Sequence, residues 1–173
     1  NGNIVNFWEL RERLVQRGHT FHTSTDTEVI SKIIVTEFIR EGDLFEAIKN
    51  TARYLDGSYS LLIMTPDSLY AIRDPYGFRP LVMAELPNSF VFSSEDCAFQ
   101  ILPSKMTRDI KPGEIVRVSN DGIKTDRIVR IGRKAHCMFE YVYFARPDST
   151  INGLSVYKAR KEMGRCLAKD FPV

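Results

Sequence analysis

The chain has 173 residues, of which 43% are hydrophobic and 27% charged; that balance fills a core and excludes an intrinsically disordered chain, at the size of one domain or one domain and part of a second. Its 24 Lys and Arg are interleaved with 22 Asp and Glu for a net charge of +2, which leaves no basic face for nucleic acid or a membrane surface. No apolar run approaches the roughly 18 residues of a spanning helix, and three widely spaced cysteines argue for a reducing compartment, the cytoplasm, rather than a disulfide framework. The opening on Asn1 without a Met, and the end at Val173 just after Pro172, read as cuts.

Three helices are expected first. Asn6 with Glu9 reads as a capping box, Val5 and Leu10 as its hydrophobic staple and Gly18 as its stop, with Phe7, Leu10 and Leu14 on one face. Thr25 and Glu28 form a second box ahead of Val29, Ile30, Ile33, Ile34 and Phe38. Asp43 and Glu46 open a third helix carrying Leu44, Ile48 and Leu55.

The pattern then changes to strands. Tyr59 to Met64 is almost wholly apolar, as in a strand covered on both faces. The turn Thr65-Pro66-Asp67-Ser68 leads to Leu69 to Ile72. Leu81 to Ala84 and Phe90 to Phe92 flank Pro87-Asn88, and Ile115 to Val118 and Ile123 to Thr125 flank Asn120-Asp121-Gly122. Helices followed by hairpins of buried strands predict a layered α+β domain in which antiparallel sheet is sandwiched by helices. From about Ala135 the texture alters: His136 to Phe144 is aromatic-rich, Ala145-Arg146-Pro147-Asp148-Ser149 breaks it, and Ser155 to Lys169 reads as a helix with Val156, Ala159, Met163 and Leu167 on one side. A boundary is therefore placed between residues 1–134 and 135–173.

Several short motifs carry two readings each. Asn1-Gly2-Asn3 is a strong turn signal; it also offers an Asn side-chain amide beside an unobstructed Gly N–H, the donors an oxyanion hole requires. Asp26, at the first helical position after Thr25, is favoured by the helix dipole, and the same field keeps it ionised to receive a substrate ammonium group. Arg73-Asp74-Pro75-Tyr76-Gly77-Phe78-Arg79-Pro80 joins two strands and reads as architectural, its Arg and Asp bonding the loop to itself. Ser93-Ser94-Glu95 reads as a capped turn into a short helix from Cys97 to Ile101. His19, His22 and His136 have no metal-ligand spacing, and Cys97 and Cys166 read as small core residues.

The order of these motifs, from Asn1-Gly2-Asn3 through Ser24-Thr25-Asp26-Thr27-Glu28 and Arg73 to Leu81 to Ser93-Ser94-Glu95, resembles the class II glutamine amidotransferases of the N-terminal-nucleophile hydrolase fold. Cys137 to Ser149, followed by Val156-Tyr157-Lys158-Ala159-Arg160, looks like the amidophosphoribosyltransferase family within that class, and Lys111-Pro112-Gly113-Glu114-Ile115-Val116 agrees. The resemblance covers essentially the whole chain. It implies an incomplete four-layer αββα domain over residues 1–134, followed by an interdomain segment and the start of a phosphoribosyltransferase domain over 135–173.

Enzymes of this family hydrolyse glutamine in one domain and pass the ammonia to another, where it displaces pyrophosphate from phosphoribosyl pyrophosphate, with Mg²⁺, to give 5-phosphoribosylamine, the first step of purine biosynthesis. The resemblance implies a nucleophilic N-terminal Cys upstream of Asn1, with its α-amine as base. An Arg holding the substrate carboxylate is expected upstream too, and the phosphoribosyl pyrophosphate loop downstream of Val173. Asn1 and Gly2 match the family's oxyanion hole, and Asp26 its glutamine-ammonium residue. Cys137 stands where some members carry one of the four thiolate ligands of a [4Fe–4S] cluster and others a buried thiol. The implied partners are glutamine, phosphoribosyl pyrophosphate, inhibitory purine nucleotides and further copies of the chain. Another class II amidotransferase, or a non-catalytic protein retaining the fold, are the competing readings; the isolated chain is expected to lack glutaminase activity.

Overall fold

The computed structural model describes residues 1–104, 106–128 and 133–172; the expected cut at Val173 lies outside them. In chain order the elements are β1 (Gly2–Ile4), α1 (Phe7–Gln16), α2 (Asp26–Glu41), α3 (Leu44–Tyr54), β2 (Gly57–Met64), β3 (Ser68–Arg73), β4 (Val82–Leu86), β5 (Ser89–Ser93), a 3₁₀ turn (Asp96–Phe99), β6 (Met106–Asp109), β7 (Glu114–Ser119), β8 (Gly122–Arg127), a π-helical turn (Glu140–Phe144), β9 (Thr150–Ile151), β10 (Leu154–Ser155) and α4 (Val156–Asp170). They form an antiparallel five-stranded sheet in the order β1-β2-β3-β7-β8, a three-stranded sheet β5-β4-β6 and the small hairpin β10-β9.

The layers follow from side-chain alternation on the central strands. Tyr70, Ile72 and Ile115 point toward the helices, where they join Leu10 and Leu14 of α1, Val29, Ile30 and Ile33 of α2, and Phe45 and Ile48 of α3 in one buried cluster. The intervening Ala71 and Val116 point the other way, onto Leu81, Met83 and Ile110 and the flanking Phe90 and Phe92. The far side of the small sheet is closed by Val82, Ala84 and Phe99 of the 3₁₀ turn. Helices on sheet on sheet is the expected antiparallel α+β arrangement, and burying each large apolar side chain contributes about 1.5–3 kcal/mol before chain entropy is counted.

Local expectations fared unevenly. Asp43 caps α3 as its sequence predicts, accepting from Glu46 N at 3.0 Å. The Asn6 box does not form: Asn6 instead donates to Tyr54 O at 2.8 Å and accepts from Asp56 N at 3.1 Å, Glu9 pairs with Arg13, and Val5 is exposed. The strand covered on both faces is β3 rather than β2, because Leu62 and Met64 emerge where the second sheet no longer covers the first. On α2, Phe38 is exposed while Glu37 is buried. The short helix after Glu95 is the 3₁₀ turn beginning one residue earlier. Cys97 is only half-buried and Cys166 is exposed. Cys166 shares this fate with Met163 and Leu167, since Val156 is the one residue of α4 that is buried.

The Arg73–Pro80 loop is architectural, as expected. The Arg73 guanidinium is 1% exposed and donates to Arg79 O (2.8 Å), Ile110 O (2.8 Å) and Gly77 O (3.1 Å). The buried Asp74 carboxylate accepts from the amides of Tyr76, Gly77 and Phe78. Arg73→Leu leaves Ile110 O unsatisfied, at about 1–3 kcal/mol, and removes one of the contacts to Arg79 O and to Gly77 O, at about 0.5–1.5 kcal/mol each. The expected result is at least about 2 kcal/mol lost in urea unfolding, and no measurable loss would show that the loop holds without it.

Candidate functional site

Asn1 and Gly2 begin the edge strand β1 rather than an isolated turn. Asn1 exchanges both backbone hydrogen bonds with Ser60, its O accepting at 2.8 Å and its N donating at 3.1 Å. In antiparallel pairing the next facing pair, Gly2 with Tyr59, is then a non-hydrogen-bonded one, so the Gly2 N–H points away from β2 toward the open sheet edge. The Ile4 N–H shares that direction and is taken by Asp26 Oδ2 at 2.8 Å. Glycine is required at position 2 for two reasons: its φ is +123°, and a Cβ would sit 2.0 Å from Ser58 O. Gly57 opposite meets the same limit, with φ +122° and a Cβ position 2.4 Å from Asn3 O. The two strands approach too closely there for any side chain.

Asp26 is half-buried at the first turn of α2, and its carboxylate bridges helix to strand. The Thr25 hydroxyl does not cap the helix but lies 2.9 Å from that of Thr23. Glu28 turns outward to the preceding loop, accepting from the Thr23 hydroxyl (2.7 Å) and from the amides of Thr23 (2.7 Å) and His22 (3.0 Å). Thus the second expected box is replaced by a clasp that fixes the loop entering α2. Asn1, Gly2, Ile4, Asp26, Ser58 and Tyr59 line a single cleft of about 50 Å³. The three residues singled out from the sequence therefore meet at one place, with an exposed Asn amide, an outward-facing Gly amide and a carboxylate. Sequence reasoning missed the Ile4–Asp26 bond, for which period and motif carry no signal.

Cys137 is half-buried and away from that cleft. Its N donates to Phe78 O at 3.1 Å, the Ala135 N to Tyr76 O at 3.0 Å, and His136 Nδ1 lies 3.2 Å from Gly77 O, so residues 135–137 run along the Arg73–Pro80 loop. No group of three His, Cys, Asp or Glu converges among the described residues, and Cys137 supplies a single thiol. Among them no helix is long and apolar enough to cross a membrane.

The hydrogen bonds from the Thr23 hydroxyl and then the His22 and Thr23 amides hold the Glu28 carboxyl well below its ordinary 4.5, at about 2. Because the folded value is depressed, the clasp's contribution is complete above about 4.5 and is lost as pH falls toward 2. The Glu28 side-chain carbon signal in an NMR titration is expected to have its midpoint near 2; a midpoint near 4.5 would mean that the clasp is open in solution.

A model of the glutamine amidotransferase domain matches residues 1–100. An amidophosphoribosyltransferase of Methanocaldococcus jannaschii is 47% identical over 188 residues, covering all of this chain and 40% of that protein. The Bacillus subtilis amidophosphoribosyltransferase is 38% identical, covering all of this chain and 36% of that protein. Two solved structures superpose on the whole chain with a TM-score of 0.92 at 38% identity. One is described as the allosteric regulatory enzyme of purine biosynthesis, and the other is the B. subtilis glutamine phosphoribosylpyrophosphate amidotransferase complexed with ADP and GMP. The chain spans about 40% of the length of the curated relatives it matches.

Proposed function

The chain belongs to the glutamine amidotransferase domain family, and from that premise we propose that it is part of an amidophosphoribosyltransferase whose Asn1–Asp26 cleft is one half of the glutaminase site. The observation that carries the reading is the convergence of Asn1, Gly2 and Asp26 on one cleft. In the reaction proposed, a Cys thiolate attacks the side-chain amide carbon of glutamine, and negative charge develops on the amide oxygen. The exposed Asn1 amide and the outward Gly2 N–H donate to that oxygen, while Asp26, its Oδ2 steadied by Ile4 N, receives the α-ammonium group. Cys97, Cys137 and Cys166 are not among the residues lining the cleft; in this reading the thiol is supplied from outside this chain, and the isolated chain is expected to be inactive on glutamine.

Ammonia released there would serve a phosphoribosyltransferase half, in which residues beyond this chain would hold Mg²⁺ and the bound ion would supply positive charge to the pyrophosphate group of phosphoribosyl pyrophosphate. Purine nucleotides as inhibitors, supported by the ADP and GMP complex of the B. subtilis relative, and a cytoplasmic setting, supported by the spaced cysteines, complete the proposal together with a homo-oligomeric assembly, which rests on the family resemblance alone.

In the whole enzyme, Asp26→Asn retains an acceptor for Ile4 N but loses the charge. Glutamine-dependent turnover is expected to fall by about 2–5 kcal/mol in transition-state terms, with ammonium-dependent turnover unchanged. Asn1→Ala in the same assay lowers kcat by about 10²–10³ with little effect on glutamine KM. Equal losses with both nitrogen donors would instead make Asp26 a strut between α2 and β1.

Cys137 is proposed as one ligand of a [4Fe–4S] cluster completed by three thiolates from beyond this chain. Anaerobically purified whole protein is then brown, carries about four iron atoms per chain and loses them on Cys137→Ser. Iron-free protein returns Cys137 to packing against the Phe78 loop.

A further inference from the structure

A continuous set of partly buried polar contacts, unused by the chemistry proposed above, runs from the Asn1 corner to α4. Ser60, which exchanges both backbone bonds with Asn1, is buried, and its hydroxyl donates to Arg79 O at 3.3 Å. Arg73 Nε fixes the same carbonyl from the other side at 2.8 Å. The Arg79 side chain reaches the other way: Nη1 lies 3.2 Å from Glu140 Oε1, and the guanidinium stands 4.9 Å from the centroid of Phe144. Glu140 is 4% exposed and opens the π-helical turn. Arg160 of α4 grips that turn, donating from Nε to Tyr141 O at 2.7 Å and from Nη2 to Ala145 O at 2.8 Å.

The pair is an odd choice for stability alone, because well-packed apolar residues serve as well as a buried ion pair or better. Among the described residues neither Arg79 Nε nor Glu140 Oε1 has a hydrogen-bond partner, so the buried Glu140 carboxylate is compensated there by charge, from Arg79 first and Arg73 behind it. A contact that is costly to break and tolerates one partner geometry sets position rather than adding cohesion. What it fixes is the Arg79 main chain, and through Ser60 the first residue of β1.

We propose that the ion pair between half-buried Arg79 and buried Glu140 positions the Asn1–Gly2 corner, acting through the Arg79 carbonyl and the Ser60 hydroxyl and referring that corner to the π-helical turn and α4. Arg79, Glu140 and Ser60 are positioning residues; none is placed against substrate. The inference rests on the glutaminase reading of the cleft.

The test uses the whole enzyme, assayed with glutamine and with ammonium chloride alongside thermal unfolding. Glu140→Gln and Arg79→Met are each expected to lower glutamine-dependent kcat about tenfold, since small misplacements of a catalytic donor are costly. Glutamine KM and ammonium-dependent turnover stay within about twofold, as they do when only a transition-state interaction is lost. Arg79→Lys recovers part of the loss, and the Arg79→Met/Glu140→Gln double variant is no worse than the poorer single one, because the two act as a pair. Ser60→Ala removes one hydroxyl and decides the matter if the charge variants do not fold, with a loss of about threefold expected for glutamine alone. Parallel losses with both donors, additive losses in the double variant, or unchanged glutamine turnover in Ser60→Ala overturn the inference. Wild-type enzyme without glutamine-dependent turnover would overturn the glutaminase reading instead, and the two failures are distinguishable.

Discussion

A buried guanidinium at the end of the central strand is the constraint on which the rest of the molecule depends. Arg73 closes β3, and among the described residues its side chain has no carboxylate at ion-pairing distance. Three main-chain carbonyls, those of Gly77, Arg79 and Ile110, take up its donors instead. A planar fork of fixed donors can be satisfied this way only if all three carbonyls are held at matching angles. The loop from Arg73 to Pro80 and the approach to β7 are therefore fixed together. Asp74 completes the arrangement, drawing in three successive amides of the same loop through its side chain, while its main-chain O accepts from Gly77 N at 3.0 Å and Gly113 N at 2.9 Å. Where the loop passes Pro112 it does so closely enough that a Cβ on Gly77 would lie 2.7 Å from the proline ring.

Apolar packing and polar bonding divide the labour differently in the two parts of the chain. Within residues 1–128, burial decides the layers: alternate residues of β3 and β7 go to the helices or to the second sheet. Residues 133–172 add only a small apolar cluster of Ala145, Ile151 and Val156. They are instead fastened by polar contacts to the loop and to the 3₁₀ turn. Glu95 accepts from Arg146 N and the Ser149 hydroxyl, and Asp96 accepts from Thr150 N. Hydrophobic burial is non-directional, whereas these bonds fix orientation, so the second part is held by register rather than by area.

Much of the fold was legible because period and composition report burial directly. The three helices, the hairpins and the antiparallel α+β class all follow from spacing. The two capping failures share one cause, which is that a side chain expected to cap its own helix bonded to a segment outside that helix. Asn6 bonds Tyr54 and Asp56 instead of its own helix, and Glu28 bonds the loop before α2. Only Asp43, with no tertiary competitor, made the expected cap. The strand Met106–Asp109 was missed because Thr107, Arg108 and Asp109 look like loop, yet β4 supplies them with a partner. The β9–β10 hairpin did carry a signal: Asn152-Gly153, with φ of +50° and +81°, is the dipeptide such turns favour. The apolar stripe on α4 was read correctly as a stripe, but periodicity cannot say what, if anything, lies against it.

The candidate site was legible in its residue types and illegible in its geometry, and the reason lies in strand parity. The amides of Asn1 and Val5 point into the sheet, to Ser60 O and Asp56 O, so those of Gly2 and Ile4 must point out of it. One of these outward amides holds Asp26 in place, and the other is left to donate elsewhere. A slip of one residue would exchange the two sets, turning the Gly2 N–H inward and taking the Ile4 N–H away from Asp26. Gly2 and Gly57 guard against that slip, since their backbones approach where no other residue fits and only one pairing brings both glycines to the close points.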